Sequence, residues 1–381
     1  MRIEGAWISR PETRAVCEAL ESGGYQALFV GGCVRNALLG EPVRDIDIAT
    51  DAPPETVIEL TERAGLNPVP TGIDHGTVTV VSAGLPHEVT TFRKDVETYG
   101  RHARVAFAAE VAEDARRRDF TMNALYARAD GSVIDPLGGL PDLRSRTVRF
   151  IDEPEDRIRE DYLRILRFFR FHAWYGHGGL DAEGLAACSA LAEGLHGLSR
   201  ERVGAEMLKL LGAPDPAPAV AAMRASGVLA HVLPGADDAC LAPLVHLEDA
   251  AGIPAEPVRR LAALGGESVA VRLRLSNARA RRRDTLAEQA AGGSPVWELG
   301  YRHGEETARD ILLLRAAMAN RPVKTEELAD LSVGARASFP VSARDLMPEY
   351  QGPALGRKLA ELERRWIDSR FTLGRDELLS T

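Results

Sequence analysis

The chain is 381 residues long, 45% hydrophobic and 27% charged, with a formal net charge of −9. That is the balance of an ordinary globular protein, and the length calls for two to four domains rather than one. No apolar run nears the roughly 20 residues of a membrane helix, and Met1-Arg2-Ile3-Glu4 opens no signal peptide. Four scattered cysteines (Cys17, Cys33, Cys188, Cys240) without a Cys-x-x-Cys pair argue against a zinc ribbon and fit reduced thiols in a cytoplasm.

A short helix is predicted over Pro11–Glu21, ended by Gly23-Gly24. From residue 26 to about 150 apolar runs alternate with helical segments. Strands are predicted at Ala27–Val30, Asp45–Ala49, Thr77–Ser82, His87–Phe92 and Val133–Asp135, and a helix from Pro53-Pro54 with Asp51 near its cap. The first strand runs into Gly31-Gly32-Cys33-Val34-Arg35-Asn36, where glycines allow a tight turn and close approach to a ligand and Arg35 offers a bidentate phosphate contact. In Asp45-Ile46-Asp47-Ile48 strand alternation puts both acids on one face and both isoleucines on the other. Two adjacent carboxylates repel unless a cation lies between them. Magnesium, a hard ion that prefers oxygen and shares its shell with phosphates, suits such a pair. A lone Asp-x-Asp is more often a solvated strand edge, so the weight rests on its combination with the glycine turn.

Phe92–Glu110, with Arg93-Lys94-Asp95 and Tyr99-Gly100-Arg101, is polar and aperiodic and is predicted as a long loop. Arg117-Arg118-Asp119-Phe120-Thr121-Met122-Asn123-Ala124 offers donors for phosphate and an amide for a sugar hydroxyl, or, more plainly, a helix start with a salt-bridged arginine. Asp135-Pro136-Leu137-Gly138-Gly139-Leu140-Pro141-Asp142-Leu143 has the composition of a bend. Beyond Glu155 strand signals fade and helical stretches follow, among them Arg159–Trp174, Arg202–Leu211, Ala217–Ala230, Glu306–Met318 and Gly356–Ile367. Glu160-Asp161-Tyr162-Leu163-Arg164 opens the first of these. Asp161, Arg164, Arg167 and Arg170 recur every three residues and predict a slanting polar row. Three arginines to one acid leave surplus positive charge suited to a triphosphate, against the plain alternative of ion pairs on a solvated face.

The acidic net charge conceals local basicity. Only four of the 47 Lys and Arg residues are lysine, and the arginines cluster at 116–118, at 157–170 and at 272–283. Exposed charges beyond about 10 Å are screened at cellular salt, so an acidic protein can still present a basic groove.

Gly-Gly-x-Val-Arg followed by Asp-x-Asp resembles the signature of the nucleotidyltransferases related to DNA polymerase β. More narrowly it is similar to the class II tRNA nucleotidyltransferase (CCA-adding) and bacterial poly(A) polymerase family, with Asn36 where that family usually carries aspartate. Arg117–Ala124 matches the family's second motif almost letter for letter. Asp135–Leu143 resembles its hinge, Glu160–Arg164 its base-selecting motif, and Ser199–Leu210 its last neck motif. The likeness covers residues 26–211.

This resemblance implies an α+β fold: a polymerase-β-like nucleotidyltransferase head with a mixed sheet and helices at 1–147, then an all-helical neck at 148–211, body at 212–290 and tRNA-binding tail at 291–381. It implies template-independent addition of C, C and A to the 3′ end of tRNA from CTP and ATP, with release of pyrophosphate. Asp45 and Asp47 are then the catalytic residues and hold two Mg2+ ions, one activating the tRNA 3′-hydroxyl and one stabilising the leaving pyrophosphate. Gly31, Gly32, Arg35, Arg118, Arg167 and Arg170 position the triphosphate, Asn123 the ribose, and Asp119 orients the arginines. Asp161 and Arg164 select the base. The segment around 92–110 lies where the family carries the flexible loop that switches from C to A. The partners implied are tRNA, CTP and ATP, with no obligate protein partner and no membrane.

The base selection is chemically coherent. Cytosine and adenine both present an amino donor beside a ring-nitrogen acceptor, which a carboxylate and a guanidinium complement. Uracil and guanine would set a carbonyl oxygen against the carboxylate, leaving acceptors unpaired at about 1–3 kcal/mol each. A poly(A) polymerase or A-adding enzyme is the nearest alternative, although Thr71-Gly72-Ile73-Asp74-His75-Gly76-Thr77 looks like the tRNA-enzyme form of its region. A catalytically dead RNA-binding protein would be expected to break the Asp-x-Asp, which is intact here.

Overall fold

The computed structural model describes residues 1–99 and 102–380. In the N-terminal part nine strands form: β1 (Leu28–Val30), β2 (Asp47–Thr50), β3 (Asn67–Gly72), β4 (Thr77–Ser82), β5 (Leu85–Thr91), β6 (Arg93–Tyr99), β7 (His102–Phe107), β8 (Tyr126–Arg128) and β9 (Val133–Ile134). Seven of them make one mixed sheet in the order β3-β4-β5-β2-β1-β8-β9, in which β2 and β5 run parallel and the other neighbours antiparallel. The interior strands are the apolar ones: all three residues of β1 are buried. At one edge lies β3, whose Pro68 and Pro70 lack the N–H that an interior strand must donate. Ala83 and Gly84 both take positive φ (46° and 84°), the tight-turn conformation that closes the β4–β5 hairpin.

Three expectations change. The predicted loop over 92–110 contains an antiparallel ribbon, β6 on β7, in register from Arg93↔Phe107 to Tyr99↔His102 with an irregularity between Asp95 and Glu97. Gly100 and Arg101 lie outside the described residues. Its sequence hid the strands because charged residues alternate with Val96 and Thr98, so no sustained apolar run marks them. Asp51 does not cap the helix Pro54–Arg63, whose N-cap is Pro53. Its carboxylate instead accepts from the Gln26 backbone N–H at 2.7 Å and from the Gln26 side chain at 3.2 Å. The second strand starts at Asp47, so Asp45 precedes it, although Glu88 N–H donating to the Ile46 carbonyl at 3.2 Å extends the pairing.

The chain divides into two compact units, Met1–Glu206 with Ala225–Val232, and Met207–Arg224 with Leu233–Thr381. In the first, Leu28, Val30, Phe92, Ala124 and Tyr126 form a core on the sheet. The second is helical. One core gathers Leu244, Leu286, Leu299 and Ile311–Leu314, and another Leu346, Leu362, Trp366 and Ile367. Among the described residues no helix is long and apolar enough to cross a membrane.

Candidate active site

The turn between β1 and the helix Gly32–Leu39 is built on Gly31, at φ 67° and ψ −117°. A Cβ there would lie 3.3 Å from Nη1 of Arg118, tighter than ordinary contact, and 3.6 Å from the Asn123 carbonyl, and the positive φ itself favours glycine. Strand-to-helix turns of this kind leave the first helical N–H groups unpaired and pointing outward, where they suit a phosphate. Asp47 opens β2, half-buried, and Asp45 is exposed two residues earlier.

Directly opposite Asp47 in the parallel pair stands Glu88 of β5, a third carboxylate that no motif singled out. Burial first, and Glu88 next, push the Asp47 carboxyl up to about 6, with Arg118 pulling the other way and Asp45 adding to the rise. Among the described residues no side chain pairs with the carboxylates of Asp45, Asp47 or Glu88, although Arg118 is close enough to act on Asp47. Among the described residues no three such side chains gather closely enough to hold a metal ion by themselves, so a divalent cation here would take one or two carboxylates and complete its shell with phosphate oxygens and water. The repulsion that raises Asp47 is what such an ion removes.

Arg35 is buried, with four of its N–H groups engaged. Nε and Nη2 donate to the Asn36 side chain at 3.2 and 2.9 Å, Nη1 to Asn123 at 2.6 Å, and Nη2 also to the Tyr175 hydroxyl at 2.8 Å. Its guanidinium carbon lies 3.9 Å from the centroid of the Tyr175 ring. One N–H on Nη1 is left for a substrate. Asn123, with its side-chain amide also donating to Asp119 at 2.9 Å, joins Arg35 to that buried carboxylate.

Asp119 was expected to orient the arginines of its own motif. It instead accepts from Nε of Arg167 at 2.7 Å, on the helix Leu163–Tyr175, and from the Phe120 N–H. Arg117 and Arg118 belong to Asp114, a buried residue that the sequence reading missed. Burial alone would raise the Asp114 carboxyl, but Arg118, Arg117 and the Tyr126 hydroxyl hold it down at about 2.

Asp161 does not open a helix. The helix Pro154–Glu160 ends before it, Asp161 is extended at φ −152°, and the next helix starts at Leu163. Its Oδ1 accepts from the Leu163 N–H at 3.1 Å, in the manner of a capping side chain, and its Oδ2 from Arg202 at 2.6 Å. Each oxygen keeps a lone pair for another donor. The fold brings each arginine of the row a carboxylate: Glu160, shared with Arg157, to Arg164 at 2.5 Å, Asp119 to Arg167, and Glu206 to Arg170 at 2.5 Å. Arg202 and Glu206 lie in Ser199–Leu210, so the residues of that segment that reach Asp161 and Arg170 are identified only by the structure. A cleft of about 710 Å3 is lined by Asp161, Tyr162, Gly194, Leu198 and Arg202.

The profile described as "Poly A polymerase head domain" matches residues 27–149, and that described as "Probable RNA and SrmB- binding site of polymerase A" matches residues 180–240. The CCA-adding enzyme of Levilactobacillus brevis is 32% identical over 378 residues, which cover 94% of either chain. The mitochondrial CCA tRNA nucleotidyltransferase 1 of Mus musculus is 32% identical over 394 residues, covering 96% of this chain and 88% of that one. The crystal structure of the Bacillus stearothermophilus CCA-adding enzyme in complex with CTP superposes with a TM-score of 0.74 at 29% identity, covering 94% of both chains. The mixed-sheet head, the helical remainder and this full-length likeness together establish that the chain belongs to the CCA-adding tRNA nucleotidyltransferase family.

Proposed function

We propose that the protein adds C, C and A to the 3′ end of tRNA from CTP and ATP and releases pyrophosphate. The observation that carries this reading is the convergence of the Gly31 turn, Arg118 and Asp47 at one point of the sheet. Asp45 and Asp47 would hold Mg2+, which supplies a Lewis acid for the attacking hydroxyl and the departing phosphate oxygens. The protein's own part is positional. The Gly31 turn leaves room for phosphate oxygens against backbone N–H groups, and Arg118 offers its Nη1 edge to them. Asn123 is held by Arg35 and Asp119 with its carbonyl beside the turn, where a ribose hydroxyl is to be read. Arg167 and Arg170, whose charges Asp119 and Glu206 balance, would offer N–H donors to the triphosphate rather than net charge. Asp161 and Arg164 choose the base, the carboxylate accepting from the amino group of C or A.

The head is assigned to residues 1–147, the base-selecting neck to 148–211, and the body and tRNA-binding tail to 212–290 and 291–381. The test is direct. Transfer RNA ending at its discriminator base is incubated with CTP, ATP and Mg2+, and the 3′ ends are sequenced. Ends reading CCA bear the reading out, whereas a lone A or a run of A would assign the A-adding or poly(A) activity instead.

A further inference from the structure

We infer that Asp114 is the positioning residue that sets Arg118 for the triphosphate; the inference rests on Arg118 being a nucleotide contact. Asp114 closes the buried side of the site from the helix Val111–Arg116 and is 1% exposed. Its Oδ2 accepts from Nη2 of Arg118 at 3.0 Å and from the Tyr126 hydroxyl at 2.7 Å. That hydroxyl in turn accepts from Nε of Arg118 at 3.1 Å. One edge of the guanidinium is therefore clamped by a carboxylate and a phenol that are bonded to each other. The remaining nitrogen, Nη1, makes no hydrogen bond among the described residues and lies against the Gly31 turn. A planar fork fixed along one edge has its other edge aimed, and a phosphate oxygen at the turn meets a donor already in place.

The same carboxylate has a second duty. Oδ1 accepts from Nε of Arg117 at 3.0 Å and from the backbone N–H of Arg93 at 3.2 Å, the first residue of β6. The base of the ribbon and the aimed arginine thus share one anchor. A purely structural Asp114 would neutralise two arginines for stability and leave nucleotide affinity to Arg118 alone.

The experiment is a double-mutant cycle on CTP binding, measured by calorimetry without tRNA on folded variants of the full chain. Arg118→Ala should weaken CTP by tens of fold, Asp114→Asn by roughly tenfold, as expected for loss of a charge-assisted hydrogen bond. Tyr126→Phe, which keeps every charge and so guards against a misfolded Asp114 variant, should weaken it by about threefold. In the Arg118→Ala background Asp114→Asn should add almost nothing, because it acts through the arginine. Wild-type affinity of Asp114→Asn and Tyr126→Phe beside a weakened Arg118→Ala would overturn the inference and leave Arg118 as a nucleotide contact. Additive losses in the double variant would overturn it as well. An unaffected Arg118→Ala would instead remove the reading of Arg118 on which the inference stands.

Discussion

Asp47 is placed where chemistry and stability make opposite demands. Its carboxyl titrates at about 6 in the folded protein through burial and the neighbouring Glu88, against an ordinary value of 3.8. A raised folded value means that the folded state binds the proton more tightly, so without metal the protein loses stability as pH rises from about 4 to 6. Asp47→Asn should therefore raise the melting temperature of the metal-free protein at pH 8 and leave it unchanged at pH 4. The same substitution, like Asp45→Asn, should abolish nucleotide addition while tRNA binding stays near wild type. Melting curves at the two pH values and primer-extension rates in magnesium check both halves, and near-wild-type turnover of either variant would sink the metal assignment. Asp161 makes a sharper demand on specificity. In the role proposed for Asp161, Asp161→Ala removes the acceptor for the amino groups of C and A and the repulsion against uracil, and both changes act in one direction. A combined loss of about 3 kcal/mol corresponds to roughly two orders of magnitude in C-over-U selectivity. Rates with all four triphosphates measure it. A residue that merely caps a helix and pairs with Arg202 would leave the C-to-U ratio unaltered.

The elements show how far a single sequence carries. The Gly-Gly turn and the strand into it were legible, because each depends on chemistry local to a few residues, whereas the strand expected from Asp45 starts only at Asp47. What long-range packing decides was not. The ribbon lacked the apolar periodicity that marks a buried strand, and the break before Leu163 is fixed by Asp161 bonding to the Leu163 N–H and to a residue 41 positions away. Asp114 and Glu88 gained their places only when the sheet formed. Asn36 shows the same limit. Its Oδ1 accepts twice from Arg35 while its Nδ2 donates to the Pro42 carbonyl at 3.0 Å, in the connection that leads to Asp45. Both bonds cannot be kept by the aspartate usual at this position. Asn36→Asp should retain the Arg35 pairing and lose the Pro42 bond, which would speed amide exchange over residues 40–46 and raise the half-saturating metal concentration severalfold. Unchanged exchange and metal requirement would show that the connection is held by other contacts. For the ribbon, removal of its outer part from Glu97 to Arg104 leaves the paired base at Arg93↔Phe107, Lys94↔Ala106 and Asp95↔Val105. The shortened protein should bind CTP normally, add two C residues and stall before A; equal loss of C and A addition would give the ribbon a structural role only.

At the scale of the whole molecule the arginine bias has two meanings that composition could not separate. Some arginines in the helical part are exposed, Arg274, Arg279 and Arg281 among them, and fit contact with RNA phosphates. Others are interior. Arg260, 2% exposed, donates to Glu248 at 2.8 Å and to the carbonyls of Leu211, Ala213 and Pro214 at 2.8, 2.5 and 3.1 Å. It thereby closes the end of the helix Arg200–Leu211, whose last carbonyls have no partner within the helix. Arg259 extends the network from Glu248 to Asp310, each at 2.7 Å, and Arg282 reaches Asp310 at 2.6 Å. Lysine could not serve at Arg260, since one ammonium lacks the fork that spans a carboxylate and three carbonyls. Arg260→Met keeps the volume but strands those carbonyls and half of Glu248, at a cost of about 3–5 kcal/mol. All of these groups belong to the second compact unit, whereas the proposed nucleotide site belongs to the first. Arg260→Met should therefore lower the melting temperature and tRNA affinity while the CTP dissociation constant, measured below the melting transition, stays at its wild-type value. A parallel fall in CTP affinity would mean that the interior network supports the nucleotide site as well, and the assignment of nucleotide and tRNA recognition to separate units would fail.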